Sequence, residues 1–239
     1  MAIADQFLTI RSRIRAACAR TGRDPSEVTL LAVSKGQPID AISEALALGQ
    51  IWFGESKVQE AKSKIPLAPS AARWQMIGHL QSNKARDAVH LFEMIQSVDS
   101  LKLAEELNKV ADKSAKTVRI LLEVNVAGES SKFGYSPTAM LEEFLTLNAL
   151  PRLEIHGLMT LAPWSPTPER SRSVFRRLRE LRTECEQRLG APLPVLSMGM
   201  SDDFEIAIEE GSTMVRVGTA LFGTRSYPKR DLGSAVEGD

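Results

Sequence analysis

Short apolar runs rich in β-branched residues alternate along the chain with longer amphipathic stretches. The short runs are almost continuously apolar, which is typical of parallel strands buried on both faces. The predicted strands are residues 28–34, 51–54, 74–77, 93–97, 118–125, 153–158, 195–197 and 213–217. The predicted helices between them are residues 38–48, 56–64, 82–89, 100–115, 137–147, 166–189 and 202–210. This alternation indicates βαβ units and one parallel sheet.

The first twenty residues carry several arginines and could be misread as a transit peptide. Apolar residues nevertheless recur there at helical spacing, with arginines on the other faces. These apolar residues are Ile3, Phe7, Ile10, Ile14 and Ala17. We therefore expect residues 1–20 to form an amphipathic helix that packs on the domain.

About eight βα units in 239 residues favour a closed (β/α)8 TIM barrel, whose usual length is about 250 residues. The competing fold, an open doubly wound sheet, commonly has a Gly-x-Gly-x-x-Gly fingerprint after its first strand. Here residues 34–38 read SKGQP instead. No linker divides the chain, so we expect a single α/β domain over residues 1–239, with residues 228–239 as a loose tail.

Composition narrows the classes of function. Thirty Lys and Arg balance thirty Asp and Glu, which removes the basic excess expected of a nucleic-acid binder. No run approaches the about 18 consecutive apolar residues of a membrane span. The two cysteines, Cys18 and Cys185, are too few for a disulfide framework, so a reduced, cytoplasmic setting is expected.

Chemistry in such barrels is found at the carboxyl ends of the strands. Lys35 comes directly after the first predicted strand, and Gly36 follows, where a backbone can approach a ligand closely. A lysine at the mouth of an apolar barrel can lose its proton more readily through desolvation, and the neutral amine attacks carbonyl groups. Lys35 is therefore a candidate for Schiff-base chemistry, although a solvated lysine at the barrel rim has the same pattern.

The ends of the seventh and eighth strands suggest a phosphate site. Phosphate groups commonly bind to the loops after these two strands together with a short helix. Ser201 follows the seventh strand, and Gly218 and Thr219 follow the eighth. Ser201 also has the position of an ordinary N-cap for the helix over residues 202–210, with Glu205 near the capping-box position.

Other charged groups give weaker signals. Arg216 in the eighth strand would place a fixed positive charge at the barrel mouth, or would pair with a carboxylate as a structural residue. Lys132, in the loop over residues 128–134, is most simply a surface lysine, with a place near the ligand as the alternative. The three histidines lack metal-ligand spacing, so we expect no metal site.

Several motifs, in order along residues 28–225, resemble those of one known family. They are AVSK (32–35), FGE (53–55), VQE (58–60), IGHLQSNK (77–84), HGLM (156–159), LSMGMSDD (196–203) and GSTMVRVGTALFG (211–223). The family is that of the pyridoxal 5′-phosphate homeostasis proteins, whose fold is like the N-terminal barrel domain of alanine racemase. The resemblance implies a role in intracellular vitamin B6 homeostasis, with pyridoxal 5′-phosphate (PLP) as the cofactor.

The resemblance also assigns residues. Lys35 matches the lysine that bonds covalently to the cofactor as a Schiff base, and Arg216 matches the arginine facing the pyridine nitrogen. The remaining cofactor-binding positions that the resemblance implies are Ser201, Gly218, Thr219, Met200, Ile77 and Ser56. Ser56 departs from the family pattern, which usually has Asn at this position.

The resemblance implies a binder rather than a catalyst. PLP is a strong electron sink when its ring nitrogen is protonated, and an arginine opposite that nitrogen disfavours the proton. Racemases of this fold add a tyrosine base from a second domain, and neither Tyr135 nor Tyr227 is an obvious substitute here. We therefore expect a non-catalytic PLP-binding protein. No exposed apolar stripe stands out in the sequence, so we expect a monomer. Its alternative roles are to deliver PLP to PLP-dependent apoenzymes, to store it or to sense it. A PLP-dependent amino-acid racemase and a lysine Schiff-base aldolase acting on a sugar phosphate are the alternatives.

Overall fold

The computed structural model of the chain describes residues 2–129 and 131–223. Across these residues, eight parallel strands close into a barrel in which each strand pairs with the next and the last pairs with the first. The strands are β1 (Thr29–Val33), β2 (Trp52–Glu55), β3 (Arg73–Met76), β4 (Met94–Val98), β5 (Val118–Glu123), β6 (Leu153–Met159), β7 (Val195–Ser197) and β8 (Met214–Val217). The predicted (β/α)8 barrel is confirmed, with strand ends that differ from the prediction by two residues at most.

Helices follow the strands in turn and cover the outside of the barrel. In the described residues they are α1 (Ile3–Arg20), α2 (Ile39–Ala47), α3 (Val58–Lys64), α4 (Ala85–Leu91), α5 (Leu101–Lys113), α6 (Pro137–Asn148), α7 (Arg172–Leu189), α8 (Phe204–Glu209) and α9 (Thr219–Phe222). Ser100 and Ser136 cap α5 and α6, since their hydroxyl groups accept hydrogen bonds from the N–H groups of Leu103 and Ala139. Gly190 ends α7 in the left-handed conformation, with φ of 67°.

The first helix, α1, precedes the barrel strands. It packs beside α8 and α9, the two short helices that follow β7 and β8. Its buried face includes Phe7, Ile10 and Ile14, and the rings of Phe7 and Phe222 meet edge to face with centroids 6.1 Å apart. On the same side, Arg13 donates two hydrogen bonds to the carboxylate of Glu205 in α8, at 2.7 and 2.8 Å. Because of these contacts, α1 supports the loops that follow β7 and β8.

Three local expectations are wrong. The helix predicted over residues 166–189 begins as a 3-10 turn, Pro168–Ser171, and becomes α-helical at Arg172. The helix predicted over residues 82–89 likewise begins as a 3-10 turn, Ser82–Lys84, before α4. Ser201 does not cap α8, since that helix begins after Asp203 and has no side-chain cap. The sequence reading also omitted α9, a single turn too short to show a helical period.

Further expectations concern the ends of the chain, the membrane and the cysteines. The tail over residues 228–239 lies outside the described residues. Within the part of the chain that the structure describes, no helix combines the length and apolarity needed to cross a bilayer. Cys18 and Cys185 are both buried and free of disulfide bonds.

Candidate functional site

A cavity of about 680 Å³ opens at the carboxyl end of the barrel. All of the residues that the resemblance assigns to the cofactor line this one cavity. They are Lys35, Ser56, Ile77, Met200, Ser201, Arg216, Gly218 and Thr219. Barrel closure is what brings these residues together, because they belong to loops and strands that are far apart in the sequence.

Lys35 lies two residues after the end of β1, between two residues with firmly held main chains. Ser34 is fully buried, and its N–H donates to the carbonyl oxygen of Gly54 at 3.0 Å. Gly36 has φ of 72°, in the left-handed region that residues with a Cβ avoid. The strand therefore ends in a tight turn that places Lys35 in the cavity wall.

The loops after β7 and β8 meet at the same cavity. The N–H of Ala220 donates to Ser201 Oγ at 3.4 Å, so the Ser201 hydroxyl connects the two loops. Asp203 instead closes the turn before α8 by accepting a hydrogen bond of 2.7 Å from the N–H of Met200. This is the physical reason that Ser201 does not act as the predicted cap: the nearby aspartate holds the turn, and Ser201 contacts the other loop.

Gly218 lies against the strand that carries Lys35. A Cβ at position 218 would lie 3.2 Å from both the Cβ and the carbonyl oxygen of Val33, closer than ordinary contacts. The absence of a side chain therefore lets the loop after β8 approach the end of β1. This close approach brings Gly218 and Thr219 to the side of the cavity near Lys35.

Arg216 is buried, and its guanidinium has fixed partners. Nη1 donates to Ser197 Oγ at 2.7 Å, and Nη2 donates to the carbonyl oxygen of Thr160 at 2.8 Å. Burial lowers the pKa of Arg216 to about 10, while the negative charges of Glu123 and Asp203 act in the opposite direction. Arg216 thus stays charged at neutral pH and presents a fixed cation to the cavity.

A chain of buried polar groups supports Arg216. The Ser197 hydroxyl donates to Gln96 Oε1 at 2.7 Å, and Gln96 Nε2 donates to Gln75 Oε1 at 2.5 Å. Sequence reasoning missed this chain. The two glutamines could have indicated this chain, because they lie within apolar strand runs and buried polar side chains need hydrogen-bond partners.

Two further groups near the site were not predicted to have a role. Glu123, at the end of β5, is buried, and burial together with the charge of Asp99 raises its pKa to about 7. Lys64 in α3 is also buried, and its ammonium contacts Glu55 and Glu60. The helical i,i+4 spacing of Glu60 and Lys64 was the sequence signal for the second contact.

The groups around the cavity fit a phosphorylated aldehyde. Lys35 supplies an amine, Ser201 and Thr219 supply hydroxyl groups, and Arg216 supplies a fixed cation. An amine bonds to an aldehyde, and hydroxyl groups next to a glycine-containing loop suit a phosphate. In the described residues, no group of acidic, histidine or cysteine side chains could hold a metal ion.

A closed barrel with a lysine after β1 and hydroxyl-bearing loops after β7 and β8 defines the class of alanine-racemase-type barrels. The family described as "Alanine racemase, N-terminal domain" matches residues 9–226. Two relatives are called pyridoxal phosphate homeostasis protein. The one from Pseudomonas aeruginosa is 44% identical over 94% of this chain and 96% of its own length. The one from Aquifex aeolicus is 42% identical over 93% of this chain and 98% of its own length.

A solved structure is similar over the same range. PipY of Synechococcus elongatus PCC7942, determined with PLP bound, is 38% identical and superposes with a TM-score of 0.81. The match covers 93% of this chain and all of that one. The chain belongs to the pyridoxal phosphate homeostasis protein family.

Proposed function

We propose that this protein binds PLP in the cavity at the carboxyl end of the barrel and acts in intracellular vitamin B6 homeostasis. The observation that carries the proposal is the convergence of Lys35, Ser201, Thr219 and Arg216 on one cavity. A lysine, two hydroxyl groups and a buried cation match the aldehyde, the phosphate and the aromatic nitrogen of PLP. The family membership and the PLP-bound PipY structure support the same assignment.

Each lining residue has a proposed task. Lys35 holds the cofactor through a Schiff-base bond to its aldehyde carbon, with loss of one water. Ser201, Gly218 and Thr219 bind the phosphate, and Arg216 faces the pyridine nitrogen. Three further lining residues contact the remainder of the cofactor. They are Ser56, Ile77 and Met200.

The site favours binding over catalysis. When bound, PLP supplies an electron sink whose strength depends on protonation of its ring nitrogen, and the permanent charge of Arg216 opposes that proton. Of the two tyrosines, Tyr227 lies outside the described residues. Tyr135 is buried, and burial together with Glu143 raises the pKa of its hydroxyl. A tyrosine hydroxyl that keeps its proton at neutral pH does not supply the deprotonated oxygen that a base requires.

The visible spectrum of the purified protein tests this function. Bound PLP should give a band near ~420 nm that borohydride removes, and mass mapping should place the reduced adduct on Lys35. A protein that shows no band even after addition of PLP would contradict the proposal. Incubation with D- or L-alanine tests the racemase alternative, because formation of the other enantiomer would show catalysis.

We propose further that residues 1–239 form one domain that acts as a cytoplasmic monomer and delivers PLP to apoenzymes. In support of delivery, Trp164 both lines the cavity and is 80% exposed, so the lining of the cavity reaches the protein surface. Light scattering of the purified chain checks the monomer. Transfer of PLP to an apoenzyme, followed by recovery of that enzyme's activity, checks delivery.

A further inference from the structure

Three charged side chains meet beside the loop that carries Lys35. We call Glu55, Glu60 and Lys64 the charged triad. The Lys64 ammonium donates to Glu55 Oε1 at 2.8 Å, to Glu60 Oε1 at 2.6 Å and to the carbonyl oxygen of Ser34 at 2.8 Å. An ammonium group has three N–H donors, so Lys64 uses one for each acceptor.

The charged triad holds the main chain on both sides of Lys35. On one side, the hydroxyl of Ser34 donates to Glu55 Oε1 at 2.7 Å, and the carbonyl oxygen of Ser34 accepts from Lys64. On the other side, the N–H of Gly36 donates to Glu60 Oε1 at 2.6 Å. Because the main chain sets the direction in which a side chain leaves it, the charged triad fixes the point from which the Lys35 side chain extends.

Stability alone is a weak reason for such a cluster. The Glu55 side chain is fully buried, and its Oε2 atom has no hydrogen-bond partner. Burial also raises the pKa of Glu55, because a charged carboxylate is costly without water. Buried ion pairs can often be replaced by apolar residues without loss of stability, and precise placement of a group is one reason to retain them.

We propose that Glu55, Glu60 and Lys64 are positioning residues that set how readily Lys35 bonds to the cofactor. This inference rests on the proposed function. In the step concerned, the Lys35 amine attacks the aldehyde carbon, a C=N bond replaces C=O, and the oxygen leaves as water. No oxidant or reductant takes part.

Two ligands separate positioning of Lys35 from general damage to the cavity. PLP has an aldehyde and bonds to Lys35, whereas pyridoxine 5′-phosphate has an alcohol there and binds without a covalent bond. Stopped-flow absorbance near ~420 nm gives the rate of bond formation with PLP. Equilibrium titration gives the affinity for pyridoxine 5′-phosphate. Each protein is first freed of bound cofactor.

The variants are Lys64→Met, Glu60→Ala and Glu60→Gln, with Lys62→Met as the matched control. Lys62 is in the same helix, but its side chain is 57% exposed and pairs with Asp87. Lys64→Met has a chain of similar length without the charge. Glu60→Gln keeps a carbonyl oxygen that can accept from Gly36, whereas Glu60→Ala does not.

For Lys64→Met we expect bond formation with PLP to slow about tenfold or more, because small displacements of a reacting group are costly. Its affinity for pyridoxine 5′-phosphate should change less than about twofold, and Lys62→Met should resemble the wild type in both measurements. Glu60→Ala should also slow bond formation, with Glu60→Gln between it and the wild type. If Lys64→Met does not fold, Glu60→Ala tests the inference in its place. Position 60 is partly exposed, so water can reach it and the variant should fold.

Two results would overturn the inference. If the triad variants bond to PLP at the wild-type rate, the charged triad does not position Lys35. If they lose affinity for both ligands equally, its role is structural. A wild-type protein that fails to bond PLP at all would instead contradict the proposed function, so the two failures are distinguishable.

Discussion

Arg216 Nη1 donates a hydrogen bond of 2.7 Å to Ser197 Oγ, which joins β8 to β7 at the wall of the cavity. The same hydroxyl donates a hydrogen bond to Gln96 Oε1, so Ser197 both accepts and donates. This arrangement holds the guanidinium in one orientation before any ligand enters. A cation fixed in this way costs no reorganisation when the cofactor binds.

Replacement of Ser197 tests this connection. Ser197→Ala leaves Arg216 with its bond to Thr160 but removes a buried partner, so we expect a loss of about 1–3 kcal/mol in the free energy of unfolding. Urea denaturation measures the loss. Ser114→Ala is the control, because Ser114 bonds to the carbonyl oxygen of Val110 at the end of α5 and is far less buried. Equal losses in the two variants would contradict a special role for the buried serine.

Replacement of Lys35 tests the covalent site. Lys35→Ala removes the amine, so the protein should bind PLP without a borohydride-stable adduct. Lys132→Ala is the control, because Lys132 lines the same cavity. We expect the adduct to persist in the Lys132 variant at the wild-type position. Mass mapping after borohydride reduction shows whether each variant carries the adduct and on which residue. An adduct that survives in Lys35→Ala would contradict the assignment.

The stability of the protein should depend on the charge of Glu123. Its pKa is about 7 in the folded protein, against an ordinary value of 4.5. Between these values the folded protein keeps a proton that the unfolded chain releases, so the contribution of Glu123 to stability falls as the pH rises. Above pH 7 the charged carboxylate costs up to about 3 kcal/mol.

Glu123→Gln should remove this dependence. The variant should gain stability relative to the wild type as the pH is raised from 5 to 8, and the gain should level off above 7. Denaturation with urea at each pH gives the difference between the two proteins. A difference that stays constant across this range would show that Glu123 does not titrate there.

The left-handed turn at Gly36 gives a separate prediction. Gly36→Ala places a Cβ at φ of 72°, and we expect it to cost about 1–2 kcal/mol of stability. Gly22→Ala is matched to it, with φ of 67° and open space around the new Cβ. Both variants should lose similar stability, but only Gly36→Ala should slow bond formation between Lys35 and PLP. Equal rates in both variants would contradict a role for this turn in placing Lys35.

The alternation of apolar strands and amphipathic helices predicted the barrel, because both patterns are local. Burial on both faces makes a strand continuously apolar, and this can be read from a few neighbouring residues. The position of Lys35 after the first strand could be predicted for the same reason. The turn α9 could not, since four residues do not show a period.

The partners of the site residues were decided only by the tertiary structure. Ser201 could serve as a local cap or contact another loop, and closure of the barrel placed it against Ala220. Arg216 and Gln96 connect through Ser197, although 120 residues separate them in the chain, because strands β4, β7 and β8 surround one interior. Sequence periodicity reports which side of an element is buried. Which polar groups meet there depends on the register of distant strands, and only the closed barrel defines that register.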